Sequence, residues 1–226
     1  ERNYFAAMMV KNGDADAMLS GYSRNYASVI KPVLDVVGKD KGVSKIAATN
    51  MMLTDRGPIF ISDTSINIDP TAKELAKIGF MTSKIVEMFG IKPVMAMLSY
   101  TNFGSSKHPN AGKVTDAVAY LHRHYPDLVV DGPLQSDFAL NRDMLEERFP
   151  FSEIAKKNVN TLIFPNLESA NITYKLMKEL NKNQSVGPIL LGLKEPIHVL
   201  QLGASVDEIV NMAAVAVIDA QQKQKR

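Results

Sequence analysis

The 226 residues are 46% apolar and carry a net charge of +2 spread along the chain, which suits one large domain or two small ones with a substantial core. Cysteine is absent, excluding disulfides, thiolate metal ligands and a cysteine nucleophile, and this fits a cytoplasmic protein. No apolar run approaches the roughly 20 residues of a membrane span, no signal-peptide pattern opens the chain, and the one basic run, Lys223 to Arg226, reads as a solvated helix end, so neither membrane nor nucleic acid is an expected partner.

Glu1 to Lys11 reads as a helix with Phe5, Met8 and Met9 on one face and Gly13 as its stop. Beginning inside an uncapped helix, the chain is expected to be part of a longer polypeptide. Ala17 to Leu19 reads as a short strand, and Asn25 to Val37 as a helix ended by Gly38. Ile46 to Leu53 and Pro58 to Ser62 read as strands joined by a turn at Asp55-Arg56-Gly57. Asp69 as N-cap and Pro70 at the first helical position then open a helix to about Phe89, closed by Gly90. Val94 to Leu98 is a predicted strand, Ala111 to His124 a helix, Leu128 to Asp131 and Thr161 to Phe164 strands, Ala170 to Leu180 a helix, and Ile189 to Leu191 a strand. Ser205 to Gln221 is the last helix, with Ile209, Met212, Ala213, Ala216 and Val217 as its apolar stripe. Strands alternating with helices predict a mostly parallel sheet covered on both faces. In such sheets ligands bind beyond the carboxyl ends of the strands.

Three loops at such positions could carry chemistry. Ser99-Tyr100-Thr101-Asn102-Phe103-Gly104-Ser105-Ser106-Lys107-His108-Pro109 joins strand to helix and combines glycine, hydroxyls, a lysine and a helix N-terminus, all favourable to phosphate. It has neither P-loop nor GxGxxG spacing, so a plain capped turn also fits. Ser20-Gly21-Tyr22-Ser23-Arg24 invites the same anion argument more weakly, with Lys31 in the helix that follows. Asp131-Gly132-Pro133-Leu134-Gln135-Ser136-Asp137 holds two carboxylates but no histidine, and Asp137 reads as a helix cap. His108, His122, His124 and His198 form no metal-binding spacing, and no metal site is expected.

Several motifs, in order, resemble the phosphate acetyl/butyryltransferase family. They are Gly13-Asp14-Ala15-Asp16-Ala17 with Ser20-Gly21, Asn67-Ile68-Asp69-Pro70-Thr71-Ala72, the Asp131-Gly132 loop, Leu162 to Leu167, Asn171 to Lys175, and Gly187 to Gly192. Asn102-Phe103-Gly104-Ser105-Ser106 and Lys194 to Leu200 are similar to the branch of that family fused behind NADP-dependent malic enzymes. The resemblance implies two Rossmann-like α/β/α subdomains with mostly parallel sheets and a cleft between them, an arrangement also found in isocitrate and isopropylmalate dehydrogenases. It places residues 1–45 and 188–226 in a first, incomplete subdomain and residues 46–187 in a second, dimerising one. It also implies that the opening part of the family domain precedes Glu1.

Against the family pattern this sequence departs at the positions that carry chemistry. Where active transferases have a Ser-Arg pair and an Asp six residues beyond the Arg, the chain has Gln201, Leu202 and Glu208. Lys31 stands for an Arg, and Pro133 for a Glu. Leucine cannot make the bidentate contact a guanidinium makes to phosphate. The expectation is therefore a module that binds acetyl-CoA allosterically without transferring acetyl groups. Its ligand-binding residues would be Ser20, Ser28, Lys31, Ser99, Thr101, Asn102, Gly104, Ser105, Ser106, Lys175 and Gln201. The parent enzyme would convert malate to pyruvate with NADP and a divalent Mg or Mn held in an upstream malic-enzyme domain, and would form homodimers or higher oligomers. An active phosphate acetyltransferase and a ligand-free assembly domain remain the alternatives.

Overall fold

The computed structural model describes residues 2–23, 26–181 and 184–225. A short strand, β1 (Met18–Ser20), precedes six strands of a central sheet: β2 (Ala47–Thr54), β3 (Gly57–Ser62), β4 (Met95–Leu98), β5 (Val130–Leu134), β6 (Thr161–Ile163) and β7 (Ser185–Leu191). β8 (Ile197–Val199) returns to pair with β1 in a separate parallel ladder, Met18 opposite Ile197 and Ser20 opposite Val199. The central sheet runs β5-β4-β6-β3-β2-β7. β3, β6, β4 and β5 pair in parallel, while β2 is antiparallel to both β3 and β7. The reason for the odd strand is local: Thr54 pairs with Gly57, leaving a turn too short for the crossover that parallel strands require.

Helices α1 (Arg2–Asn12), α2 (Tyr26–Val37), α3 (Ala72–Met88), α4 (Pro109–His124), α5 (Ser136–Leu140), α6 (Arg142–Arg148), α7 (Leu167–Asn181) and α8 (Val206–Gln224) cover the sheets. Period-two alternation in β4 divides the core. Met95 and Met97 pack with Leu75 and Ile78 of α3 and Val114 and Leu121 of α4. Val94, Ala96 and Leu98 face the other way, with Ala139 of α5, Leu145 of α6 and Tyr174 of α7. A further cluster joins Ala7 of α1 and Val29 and Val33 of α2 to Ile197 and Val199 of β8. Met212 and Val215 of α8 pack with Val186 and Ile189 of β7. No helix of the described residues is long and apolar enough to cross a membrane.

The mostly parallel sheet and the β2–β3 hairpin agree with the sequence. Other expectations need correction. On α1 the buried face is Asn3, Ala7 and Val10, while Phe5 is 71% exposed and Met8 is exposed too. Small residues let α1 lie close to α2, which turns the larger apolar side chains outward. α3 is capped by Thr71 rather than Asp69: the Thr71 hydroxyl accepts the Glu74 N–H and Glu74 reaches back to the Thr71 N–H. Asp69 is thereby left to pair with Lys113, 2.6 Å away. β5 starts later than expected and includes Gly132 and Pro133. Asp137 caps nothing: it lies in the first turn of α5, whose N-cap is Gln135. The buried stripe of α8 is Met212, Val215, Ala216, Asp219 and Ala220, with Ala213 and Val217 exposed. The expected boundary between residues 187 and 188 falls inside β7, all of which belongs to the central sheet. Arg24 and Asn25, named in the second loop and at the expected helix start, lie outside the described residues.

Gly21 makes the close approach between β1 and the end of β8 possible. At its φ of 113°, a Cβ would stand 2.5 Å from the Leu200 carbonyl oxygen and 2.7 Å from Val199 Cγ1. Gly21→Ala is therefore expected to destabilise the chain by about 2–3 kcal/mol, through both strain and overlap. Urea unfolding would measure it; a loss below about 0.5 kcal/mol would mean that this contact yields freely.

Candidate binding cleft

The carboxyl ends of β3, β4, β5 and β6 open on one edge of the sheet, as parallel pairing requires. A cleft of about 510 Å³ lies there. Ser99 and Tyr100 follow β4 into it, Ser136 follows β5, Asn166 follows β6, and Asp69 and Lys113 face each other across it. The first turns of α4 and α7 contribute Asn110 and Ser169. Helix N-termini with a lysine favour an anion, although Asp69 offsets the lysine.

The loop after β4 is built largely on its own side chains. The buried Thr101 hydroxyl bonds that of Ser105. Asn102 and Gln135 clasp each other: the Asn102 Nδ2 donates to Gln135 Oε1 at 2.6 Å, and the Gln135 N–H donates to Asn102 Oδ1 at 2.8 Å. Ser106 shares a hydrogen bond with Tyr100 and accepts the His108 N–H. Phe103 and Gly104 both take positive φ, 41° and 79°. This winding leaves the N–H groups of Gly104, Ser106 and Lys107 without hydrogen bonds among the described residues. The Ser105 N–H between them donates to the Asn102 carbonyl, so only Ser106 and Lys107 are consecutive unpaired amides, an arrangement that favours an anion. α4 begins two residues earlier than expected because His108 Nδ1 accepts the Asn110 N–H and Pro109 starts the helix.

A second group of residues lies where the small sheet meets α7. The Leu200 N–H donates to the Ser20 carbonyl oxygen at 2.7 Å, and Gln201 Nε2 donates to the Tyr174 hydroxyl. Ser20 Oγ donates to Asn3 Oδ1 at 2.9 Å. Lys175 is exposed, its Nζ 5.8 Å from the Tyr174 ring centroid. Ser28 and Lys31 are exposed one turn apart on α2. Most of the expected site residues therefore fall into two sets. Ser99, Thr101, Asn102, Gly104, Ser105 and Ser106 gather at the β4 edge, whereas Gln201 and Lys175 lie at Tyr174, with Ser20 tied to the residue before Gln201; Ser28 and Lys31 lie on α2. α7 links the two sets, with Ser169 at one and Tyr174 at the other.

Sequence reasoning missed the groups that brace this second set. Tyr26 opens α2, and its hydroxyl is buried without a well-aligned hydrogen bond among the described residues. Burial raises its pKa far above the usual phenol value, with the charge of Asp63 and Tyr174 adding to the effect. Asp63 is buried as well, and desolvation raises its pKa although the Ser65, Ile66 and Asn67 amides donate to it. Neither residue has a spacing that singles it out.

Other candidates have structural duties. Asp131 accepts the Gly132 N–H, the Ser152 hydroxyl at 2.7 Å and the Glu153 N–H, tying β5 to the loop before β6. His122 and His124 bond the Val130 and Tyr120 carbonyls. No group of three or more His, Asp or Glu side chains among the described residues is placed to hold a metal.

Leu202 is 67% exposed on the loop between β8 and α8. Glu208 completes a capping box with Ser205 and pairs with Lys178 at 2.6 Å. Burial alone would raise the Glu208 pKa, but Lys178 and the Ser205 N–H outweigh it and leave the carboxyl below its usual 4.5. A depressed carboxyl stabilises the fold above its unfolded-state value and loses that contribution as pH falls through the folded value. Glu208→Gln should therefore cost roughly 0.5–1 kcal/mol near neutrality and flatten the acid limb of the stability profile. Parallel acid limbs in urea unfolding would exclude the pair as a contributor.

The phosphate acetyl/butaryl transferase family matches residues 1–217. The NADP-dependent malic enzyme of Escherichia coli (strain K12) is 41% identical over 216 residues, which are 95% of this chain and 28% of that protein. The phosphate acetyltransferase of Corynebacterium glutamicum is 38% identical over 219 residues, 96% of this chain and 66% of that protein. The phosphotransacetylase from Streptococcus pyogenes superposes with a TM-score of 0.90 at 36% identity, covering 99% of this chain and 68% of that one. The chain thus spans less than a third of the malic enzyme it matches. Sequence and fold together place this chain in the phosphate acetyl/butyryltransferase family.

Proposed function

We propose that the chain is a regulatory module that binds acetyl-CoA and has lost acetyl transfer, within a malic enzyme that oxidatively decarboxylates malate using NADP and a divalent metal. The observation that carries this reading is Leu202. An exposed leucine occupies the position where the resemblance assigns the transferases an arginine, and Glu208 beside it is engaged by Lys178 and Ser205. A transition state that spreads charge over phosphate oxygens gains nothing from an isobutyl group. Binding is less demanding: the free amides of the β4–α4 loop and the exposed Lys31 can still attract the phosphates of a CoA ester.

The pose runs from the loop at Ser99 to Ser106, past α7, to Gln201 and α2, so that both sets of residues contact one extended ligand. This places the ligand between two Rossmann-like subdomains in a dehydrogenase-like arrangement. An active phosphate acetyltransferase is the second reading, favoured by nearly equal identity to proteins of that name. The two part on one assay: acetyl-CoA should bind by calorimetry while the polypeptide forms no acetyl phosphate from acetyl-CoA and phosphate. Turnover at a dedicated transferase's rate would overturn the regulatory reading. Lys31→Glu should weaken acetyl-CoA about tenfold by reversing a charge that faces phosphate, and unchanged affinity would reject the pose.

The proposed partner is a second copy of the chain. Ile172, Leu176 and Leu180 form an exposed stripe along α7 at four-residue spacing, the pattern of a helix face that packs against another surface. Leu176→Glu should shift the chain toward monomer in analytical ultracentrifugation. An unchanged sedimentation coefficient would remove α7 from the interface.

A further inference from the structure

A buried polar cluster behind the β8–α8 loop takes no part in the cleft. His198 of β8 is fully buried, and both ring nitrogens meet polar groups. The Leu190 N–H of β7 donates to Nδ1 at 3.3 Å. Nε2 stands 3.3 Å from Asp219 Oδ2 of α8, too bent for a well-formed hydrogen bond, and has no other partner among the described residues. Asp219 also pairs with Lys223, 3.3 Å away and one turn further along α8. Asp40 and Glu195 add their negative charge around Lys223.

A backbone amide can only donate. Nδ1 must therefore keep its lone pair for Leu190, and the single proton of the neutral ring must sit on Nε2, facing the Asp219 carboxylate. Protonating Nδ1 would set donor against donor at Leu190. Asp219 and Lys223 present opposite charges to this pocket from α8. His198 lies three residues before Gln201, and the Leu200 N–H is tied to Ser20. A shift of β8 relative to β7 would therefore move Gln201 relative to Tyr174.

We infer that His198, held as its Nε2–H tautomer between Leu190 and Asp219, is a positioning residue for the Gln201 loop. The link to ligand rests on the acetyl-CoA reading above; the tautomer and the positioning do not. Nitrogen-15 NMR of the histidine-labelled chain at about pH 7.5 should give the Nε2–H signature for His198, and an Nδ1–H signature would overturn the inference. Hydrogen exchange should show Leu190 protection at least about tenfold lower in His198→Leu, which offers Leu190 no acceptor, than in the native chain. In His198→Asn the amide oxygen replaces Nδ1 as acceptor, so protection there should return toward the native level; equal protection in all three proteins would overturn the inference. Acetyl-CoA affinity should fall about tenfold in His198→Leu and recover in His198→Asn. Absence of acetyl-CoA binding in all three proteins would refute the functional reading, while the NMR and exchange results would still decide on His198.

Discussion

One buried carboxylate holds the cleft edge of the sheet in shape. Asp63, directly after β3, accepts hydrogen bonds from the Ala48, Ser65, Ile66 and Asn67 backbone amides and from the Asn67 side chain. Removing a carboxylate from water costs several kcal/mol unless donors replace the solvent. Here the donors come from β2 and from the turn that follows β3, so satisfying the charge fixes the route of the loop. Asn67 in turn donates to the Ile46 carbonyl, binding the loop to the start of β2.

The rest of the site hangs from that turn. Thr64 accepts the Asn171 side chain and Ile68 accepts the Leu167 N–H, so the loop positions the first turns of α7. Asp69 then meets Lys113 of α4 across the cleft. Tyr26 presses its buried hydroxyl toward Asp63 and Tyr174 from the side of the small sheet, and Gln201 closes on Tyr174. A ligand in contact with both sets of residues would bridge the central sheet and the β1–β8 ladder.

The sequence makes the alternation of strands and helices readable because hydrophobic period and glycine stops are local properties. β4 and the β2–β3 hairpin emerge almost residue for residue, and the motifs point to the family. Less readable is anything decided between distant segments. β8 has three residues of ladder and no period of its own; it exists because β1 lies beside it. α5 and α6 are too short to display a stripe. Asp69 looks like a cap by position, but Thr71 and Glu74 make a better one two residues on. In the site, the loop after β4 is legible as phosphate-friendly, whereas Tyr26, Asp63 and Tyr174 owe their importance to burial and mutual contact. Gln201 is visible only as a departure from a pattern, and its partner Tyr174 is 27 residues away in the chain.

The two departures that matter most have a shared physical logic. A carboxylate at the third position of a helix can reach back to its N-cap amide when its side chain is as long as glutamate's. Glu208 does this with Ser205, and the same carboxylate draws in Lys178 from α7. The group that stands where the resemblance places a catalytic aspartate has become part of the frame that joins α7 to α8. Glu208 is thereby committed to partners on two helices, while Leu202 stands exposed on the loop that leads into α8.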